Sequence, residues 1–536
     1  MSALPARLDA RRLAPWLIAA SIAFAFLVRL HFSPDARLSM DYGTAYAVAY
    51  DMVHSHVFPL TGGKTTWGGE IVLPGYYYLV TPPLLVSDSP LVFYAWGALF
   101  STLGLLPFSL LLLERYGPRA AIVGTWYAAC APWFVTLGDS PWSPKMVLPF
   151  VATLLYALHR IVAVPKSRWA AAVPLCLAAQ AHVYPNLPVT FAMALAVALV
   201  CRPRVNWLWF ALGSLGAALT AVPTAIHLLT QPAAAAETEQ LLTLNEKFSR
   251  GSSALMAAEY VVLYGTAAVK YSLGGFGASR LVPAGLGWLA RVHRTAQQVY
   301  GGIPGMSFVA ASVLLAVFAW TRGLVRGVKA VWTTPMRSWD PMAICLVVTL
   351  VVSPIVGGLG LRIHQPRYNF IAIWCSVLPL LWLCTGERPL ATRLLRWGVL
   401  AWMVLSSIGH LWIVDRLYEV DVPPTGLTTA LRSMERIVSR RHGRSFVLDM
   451  EYWQKKGWND MGRRLHGARW RSVPAGAVRY SVAALPLTGD ARRRARAPGA
   501  RRLRGPHGIL IEVPVVRPPP RTSRAAKPPR RPAQRR

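Results

Sequence analysis

Asp41 and Asp139 are the two carboxylates whose settings suit acid–base work. Asp41 stands in Met40-Asp41-Tyr42-Gly43-Thr44-Ala45-Tyr46, about ten residues beyond the last apolar turn of the first hydrophobic run. A carboxylate where lipid meets water can accept a proton from an incoming hydroxyl; the plainer reading is a helix N-cap, where Asp is favoured. Asp139 lies in Gly138-Asp139-Ser140-Pro141-Trp142-Ser143-Pro144-Lys145, a tight turn between two apolar runs. Two carboxylates converging on one cavity could divide the work, one as base and one orienting a ligand or a metal ion. The plainer reading of Asp139 is a turn residue capping the next helix.

Cations complete the set. Lys64, in Gly62-Gly63-Lys64-Thr65-Thr66, and Lys145 are isolated bases near those acids, and Arg362, His364, Arg367 and Tyr368 cluster before a late apolar run. Such groups could hold a phosphate; taken singly, each reads more plainly as a side chain snorkelling to the interface. His182 ends another run and reads more plainly as a satisfied polar helix end than as a ligand. Arg29, near the end of the first run, reads as a further snorkelling cation. No Walker loop, no dinucleotide fingerprint on a strand–helix unit and no Gly-x-Ser-x-Gly elbow occurs, which disfavours an ATP-driven pump. The six cysteines show no Cys-x-x-Cys spacing, so neither a disulfide framework nor a zinc site is indicated.

The elements that must position these residues are apolar. Of 536 residues 54% are hydrophobic and only 15% charged, with mean hydropathy +0.37. A soluble chain carries roughly a quarter charged residues, so one large soluble globule is excluded. A spanning helix needs roughly 20 apolar residues, and about eleven stretches qualify: 13–32, 89–113, 120–137, 146–163, 169–183, 187–201, 206–229, 303–320, 341–360, 368–384 and 397–414. The fold class expected is therefore an α-helical polytopic membrane protein. With the N-terminus in the cytoplasm, sixteen basic residues, from Arg7 to Arg396, fall inside, against Arg37, Lys64, Lys145, Arg362 and Arg367 in the short outer loops. That is the positive-inside asymmetry. The first outer loop, 33–88, is acidic, with Asp35, Asp41, Asp51, Glu70 and Asp88, and a second long outer segment covers 230–302.

Beyond the transmembrane region, 1–414, the composition turns polar. Residues 415–516 read as a small α/β region outside the membrane, with a helix at 425–441 and strands at 445–449 and 508–516. Residues 517–536 read as a basic Arg/Pro-rich disordered tail. Of the 57 basic residues 28 lie in 415–536, beside 9 acidic ones. A solvated surface is the plainer account of that charge, attraction to anionic lipid the functional one, and no motif supports nucleic-acid binding.

Taken together these residues resemble the GT-C superfamily of integral membrane glycosyltransferases, of the protein O-mannosyltransferase and aminoarabinose-transferase type. The stretches that carry the resemblance are Asp41-Tyr42 with Tyr46 and His56-Val57-Phe58-Pro59-Leu60, Leu73-Pro74-Gly75-Tyr76-Tyr77-Tyr78, and Asp139 to Phe150. Gln180-Ala181-His182 and His364 to Tyr368 carry it more weakly. It covers 1–230 well and 303–414 loosely. Tyr42 stands where many members have a second acid, and Ser143 and Lys145 replace two asparagines.

The resemblance implies a bundle of about eleven membrane helices. It implies transfer of a sugar from a polyprenyl-phosphate donor to a hydroxyl of a lipid, glycan or protein at the outer face of the plasma membrane, by inverting displacement. Asp41 would then be the catalytic base and Asp139 would orient the site. Lys64, Lys145 or Arg367 would meet the leaving phosphate, with His182, His364 and Tyr368 as further binding residues. Metal use varies within the superfamily, so a divalent ion held by Asp41 and Asp139 stays open. The alternative is a transporter or flippase of a lipid-linked saccharide, which calls for mid-membrane ionisable groups and internal repeats. A third reading, a non-catalytic assembly subunit, calls for a basic tail that function requires.

Overall fold

The computed structural model describes residues 10–62 (save 37 and 39), 73–231 (save 132, 133, 136, 137, 139 and 184–186) and 321–352 (save 330–332 and 336–338). Within the C-terminal part it describes 427–440, 446–448, 452–470, 478–483, 493–504 and 509–514, with scattered residues besides. Five expected site residues, Lys64, Asp139, His364, Arg367 and Tyr368, lie outside the described residues. So do nearly all of 303–320 and 368–384, the whole of 397–414 and the tail 517–536. The chain divides into two compact units, 1–36 with 44–422, and 37–43 with 423–536.

The first unit is helical. Its chain order is α1 (Ala10–Phe32), α2 (Met40–His54), whose first residues belong to the other unit, α3 (Gly75–Val80), α4 (Pro90–Leu103), α5 (Leu105–Tyr116) and α6 (Pro118–Cys130). Then come α7 (Ser143–Met146), α8 (Leu148–Ala163), α9 (Ala172–Val183), α10 (Leu187–Cys201), α11 (Trp207–Thr230) and α12 (Pro341–Val347). Among the described residues, four stretches are long and apolar enough to cross a membrane: Arg12–Phe32, Pro90–Tyr116, Ser143–Ala163 and Trp207–Thr230. Leu187–Cys201 and Pro341–Val351 are shorter apolar helices. The expected span 120–137 holds a shorter helix, α6, of 13 residues, and 169–183 is covered by a 3-10 turn, Arg168–Ala171, that runs into α9.

Local chemistry fixes several starts. Ser89 accepts the amide of Leu91 ahead of Pro90, Asn206 that of Trp209, and Asp340 that of Met342 ahead of Pro341. Each supplies an N-cap oxygen, and proline at the first helical position loses no bond. The outward surface suits lipid. On α11, Leu208, Leu215 and Leu219 are 68%, 58% and 60% exposed, a stripe that water would not tolerate and hydrocarbon covers.

Inside, Phe108 and Phe134 flank Trp374, with ring centroids 4.7 and 4.9 Å away, and the Trp374 indole N–H donates to Leu148 O at 3.1 Å. At the opposite end of α5, Glu114 accepts from Tyr156 Oη at 2.8 Å and from Arg160 Nη1 at 2.9 Å, tying α5 to α8. Tyr116 donates to Asp340, which joins that end to the start of α12.

The second unit is α/β. It comprises α13 (Leu427–Arg440), β1 (Phe446–Leu448), α14 (Tyr452–His466), β2 (Val478–Ala483), β3 (Arg501–Arg504) and β4 (Ile509–Pro514). The sheet order is β1-β2-β4-β3. β1 and β2 pair in parallel, with Phe446 opposite Val478, which requires a crossover, and α14 supplies it. β4 runs antiparallel to both β2 and β3. Leu427, Ala430, Met434 and Ile437, spaced at helical intervals, are wholly buried. The ring of Phe446 lies 5.0 Å from that of Trp470 and 5.7 Å from that of Tyr480, an aromatic cluster, and Trp458 is also wholly buried.

Candidate functional site

The site begins with a glycine. Gly75 opens α3, and its amide donates to Nδ1 of His182, at the end of α9, across 3.0 Å. A Cβ on Gly75 would lie 2.7 Å from the imidazole ring, so only glycine lets the backbone come this close. Because Nδ1 accepts, the ring carries its proton on Nε2. That Nε2 is buried and has no hydrogen-bond partner among the described residues. Two residues earlier Gln180 is fully buried, and neither its Oε1 nor its Nε2 has a partner among the described residues. Each such atom costs about 1–3 kcal/mol of lost hydration, so the end of α9 holds three polar atoms that the fold leaves unsatisfied.

The next residue of α3 reaches the second loop. Tyr76 Oη donates to the carbonyl of Pro141 at 2.6 Å, and Gly97 of α4 packs against the backbone of Ser140 and Pro141. Ser140 is buried and accepts from Lys145 Nζ at 2.9 Å. Lys145 is itself only 8% exposed. The ammonium is thus fixed by a hydroxyl five residues away and held out of bulk water, where its field is strong. The segments 73–78, 138–145 and 180–182, far apart in sequence, form one polar neighbourhood, and Lys145 and His182 both belong to it.

Arg29 supports the same turn from beneath, contrary to the snorkelling expected of it. It is 2% exposed, and its Nη1 donates to Ala25 O at 2.9 Å, one turn back along α1. Gly138 packs on the guanidinium so closely that a Cβ there would overlap Nε. Ser101 Oγ donates to Gly138 O at 3.0 Å. The side chain folds inward because the turn at 138 offers it a polar wall, which a lone helix in lipid does not.

In the first loop, Tyr46 Oη donates to Asp88 O at 2.6 Å and His54 Nε2 meets Asp88 Oδ1 at 2.7 Å. Burial, then the charge of Asp88, raises the Tyr46 phenol above its ordinary range, so it stays a donor. Together these contacts anchor α2 against the start of α4.

Asp41 belongs to the second unit. It lies in the first turn of α2 and is exposed, where an acid complements the positive end of the helix. The buried neighbours Tyr42 and Gly43 hold that turn in the unit. Among the described residues no three His, Cys, Asp or Glu side chains gather as a metal site.

Gln180, Ser140 and Gly75 were not singled out in the sequence as site residues. Gln180 carried a signal all the same, a carboxamide inside an apolar run; Ser140 and Gly75 carried none that spacing reveals.

No known family matches the sequence, and no curated protein matches it either. Solved structures do. The apo form of ArnT from Cupriavidus metallidurans is similar with a TM-score of 0.51 at 13% identity, over 93% of this chain and 98% of that one. ArnT from the same organism bound to undecaprenyl phosphate gives 0.47 at 12% identity, over 92% and 97%. The apo oligosaccharyltransferase of Archaeoglobus fulgidus gives 0.47 at 14% identity, over 86% of this chain and 64% of that one. The fold of this chain is therefore similar to that of ArnT.

Proposed function

We propose that the protein transfers a sugar from a polyprenyl-phosphate carrier to a hydroxyl acceptor at the outer face of the plasma membrane. The acceptor is a lipid, glycan or protein. The observation that carries this reading is the meeting of segments 73–78, 138–145 and 180–182 around a buried ammonium and a buried imidazole N–H that has no partner among the described residues. Both groups are of the kind that a phosphate oxygen satisfies, and the fold is one in which ArnT has been seen with undecaprenyl phosphate.

In the reaction the acceptor oxygen attacks the anomeric carbon as its proton passes to the Asp41 carboxylate. The bond from that carbon to the phosphate oxygen breaks, the electron pair leaves with the carrier phosphate, and the centre inverts. Lys145 neutralises the charge that the phosphate gains, which lowers the barrier where the charge develops. The His182 Nε2–H donates to the same phosphate. Asp139, Lys64, His364, Arg367 and Tyr368 remain proposed members of the site from the sequence resemblance.

The test is direct. The full-length protein in membranes is given a panel of undecaprenyl-phosphate-linked hexoses and pentoses, labelled in the sugar. Transfer of label with release of undecaprenyl phosphate is expected, and Asp41→Asn should lower it by orders of magnitude while the protein still inserts. Label crossing vesicles with no covalent product would replace this reading with that of a carrier flippase.

A further inference from the structure

The first turn of α2 is packed by the C-terminal unit, through glycine on glycine. Residues 37–43 cluster with 423–536, not with the helices that follow them in sequence. Gly43 lies inside α2 and Gly457 inside α14. A Cβ on Gly43 would overlap the backbone carbonyl, Cα and carbonyl carbon of Gly457, atoms that no side-chain rotation can move aside. Both residues are buried. A glycine inside a helix costs roughly 1 kcal/mol against alanine. Two helices that each accept this cost at their point of contact do so because their backbones touch there. Trp458, next to Gly457, is wholly buried. Asp41 is two residues before Gly43, on the same helical turn, and its side chain is exposed.

We infer that the C-terminal unit positions Asp41, with the contact between Gly43 and Gly457 setting where its carboxylate stands. This rests on the proposed role of Asp41 as base. Gly43 and Gly457 are positioning residues, since neither has a side chain to offer the reaction. A methyl group at Gly43 must push the two helices apart by a large fraction of an ångström. A misplacement of that order in a reacting group costs about a hundredfold in rate.

The experiment uses the full chain in membranes, with the undecaprenyl-phosphate-linked sugar that the unaltered protein accepts from the panel above. Gly43→Ala is expected to lower kcat about a hundredfold, with KM for the carrier-linked sugar within about twofold, because the carrier is held elsewhere. Lengthening the acid, Asp41→Glu, should recover part of kcat in the Gly43→Ala protein while lowering it in the unaltered one. A merely structural role predicts no such rescue, and a loss of inserted protein in place of a fall in kcat. Should Gly43→Ala insert too poorly to assay, Gly457→Ala, which adds its methyl from the α14 side, is read for the same split and the same rescue. If Asp41→Asn abolishes transfer but Gly43→Ala keeps kcat within about twofold, or Asp41→Glu gives no rescue, the inference is overturned and the reading of Asp41 survives. If Asp41→Asn itself leaves transfer unchanged, both are overturned.

Discussion

The backbone amide of Gly75 donates to Nδ1 of His182 across 107 residues of sequence, and that single bond fixes both the tautomer of the ring and the start of α3. The ring cannot become protonated at Nδ1 without losing it. His182 therefore presents one N–H, at Nε2, to whatever occupies the space beyond.

Gly75→Ala forces the ring aside, because the added methyl would stand 2.7 Å from it. The expected loss is about 1–3 kcal/mol, from the broken bond and the strain together. Thermal unfolding in detergent checks it. His182→Ala should destabilise by a similar amount by orphaning the Gly75 amide, and should also weaken binding of undecaprenyl phosphate, measured on the same preparation.

Lys145→Met keeps the length of the side chain and removes its charge. Undecaprenyl phosphate binding should fall by about tenfold or more, the scale of a lost charge-assisted hydrogen bond. Lys145→Arg should not restore it, since the planar fork does not fit a position where Ser140 receives a single ammonium at 2.9 Å. Full recovery by arginine would argue against a shaped site.

Arg29→Ala removes a guanidinium that Gly138 packs upon and leaves a void beneath the turn. A cost of about 2–4 kcal/mol is expected, as for other large buried side chains. A snorkelling arginine would cost almost nothing, so unfolding of this variant separates the two accounts.

The C-terminal unit has its own pH response. Burial first, then the charge of Arg469, lowers the pKa of His466, with Glu435 opposing them. The folded state thus binds fewer protons than the unfolded one just below the ordinary histidine value of 6.5. The stability that depends on a neutral His466 is complete above that value and is lost as pH falls from it towards the folded pKa. Protection of α14 amides in hydrogen exchange should decline over that window, and His466→Asn should flatten the decline.

Much of this was legible in the chain before any coordinates. The membrane class followed from apolar runs, because hydrocarbon admits only segments that satisfy their own backbone. The helix read at 425–441 is α13, Leu427–Arg440. His182 stood out at the end of an apolar run, and Lys145 as an isolated base beside acidic residues. Helix ends were less legible: α6 stops at Cys130, inside the apolar run 120–137.

The tertiary structure alone decided which of these groups meet. No spacing rule joins residue 75 to 182 or 76 to 141, because hydrogen bonds between remote segments depend on how helices pack and not on periodicity. Nor does any local pattern tell a snorkelling Arg29 from one folded under Gly138, when the choice is made by a turn more than a hundred residues away. The same holds for Asp41. Its type and place near the first span could be read directly, but that its turn packs with residues after 423 required two glycines, separated by most of the chain, to touch.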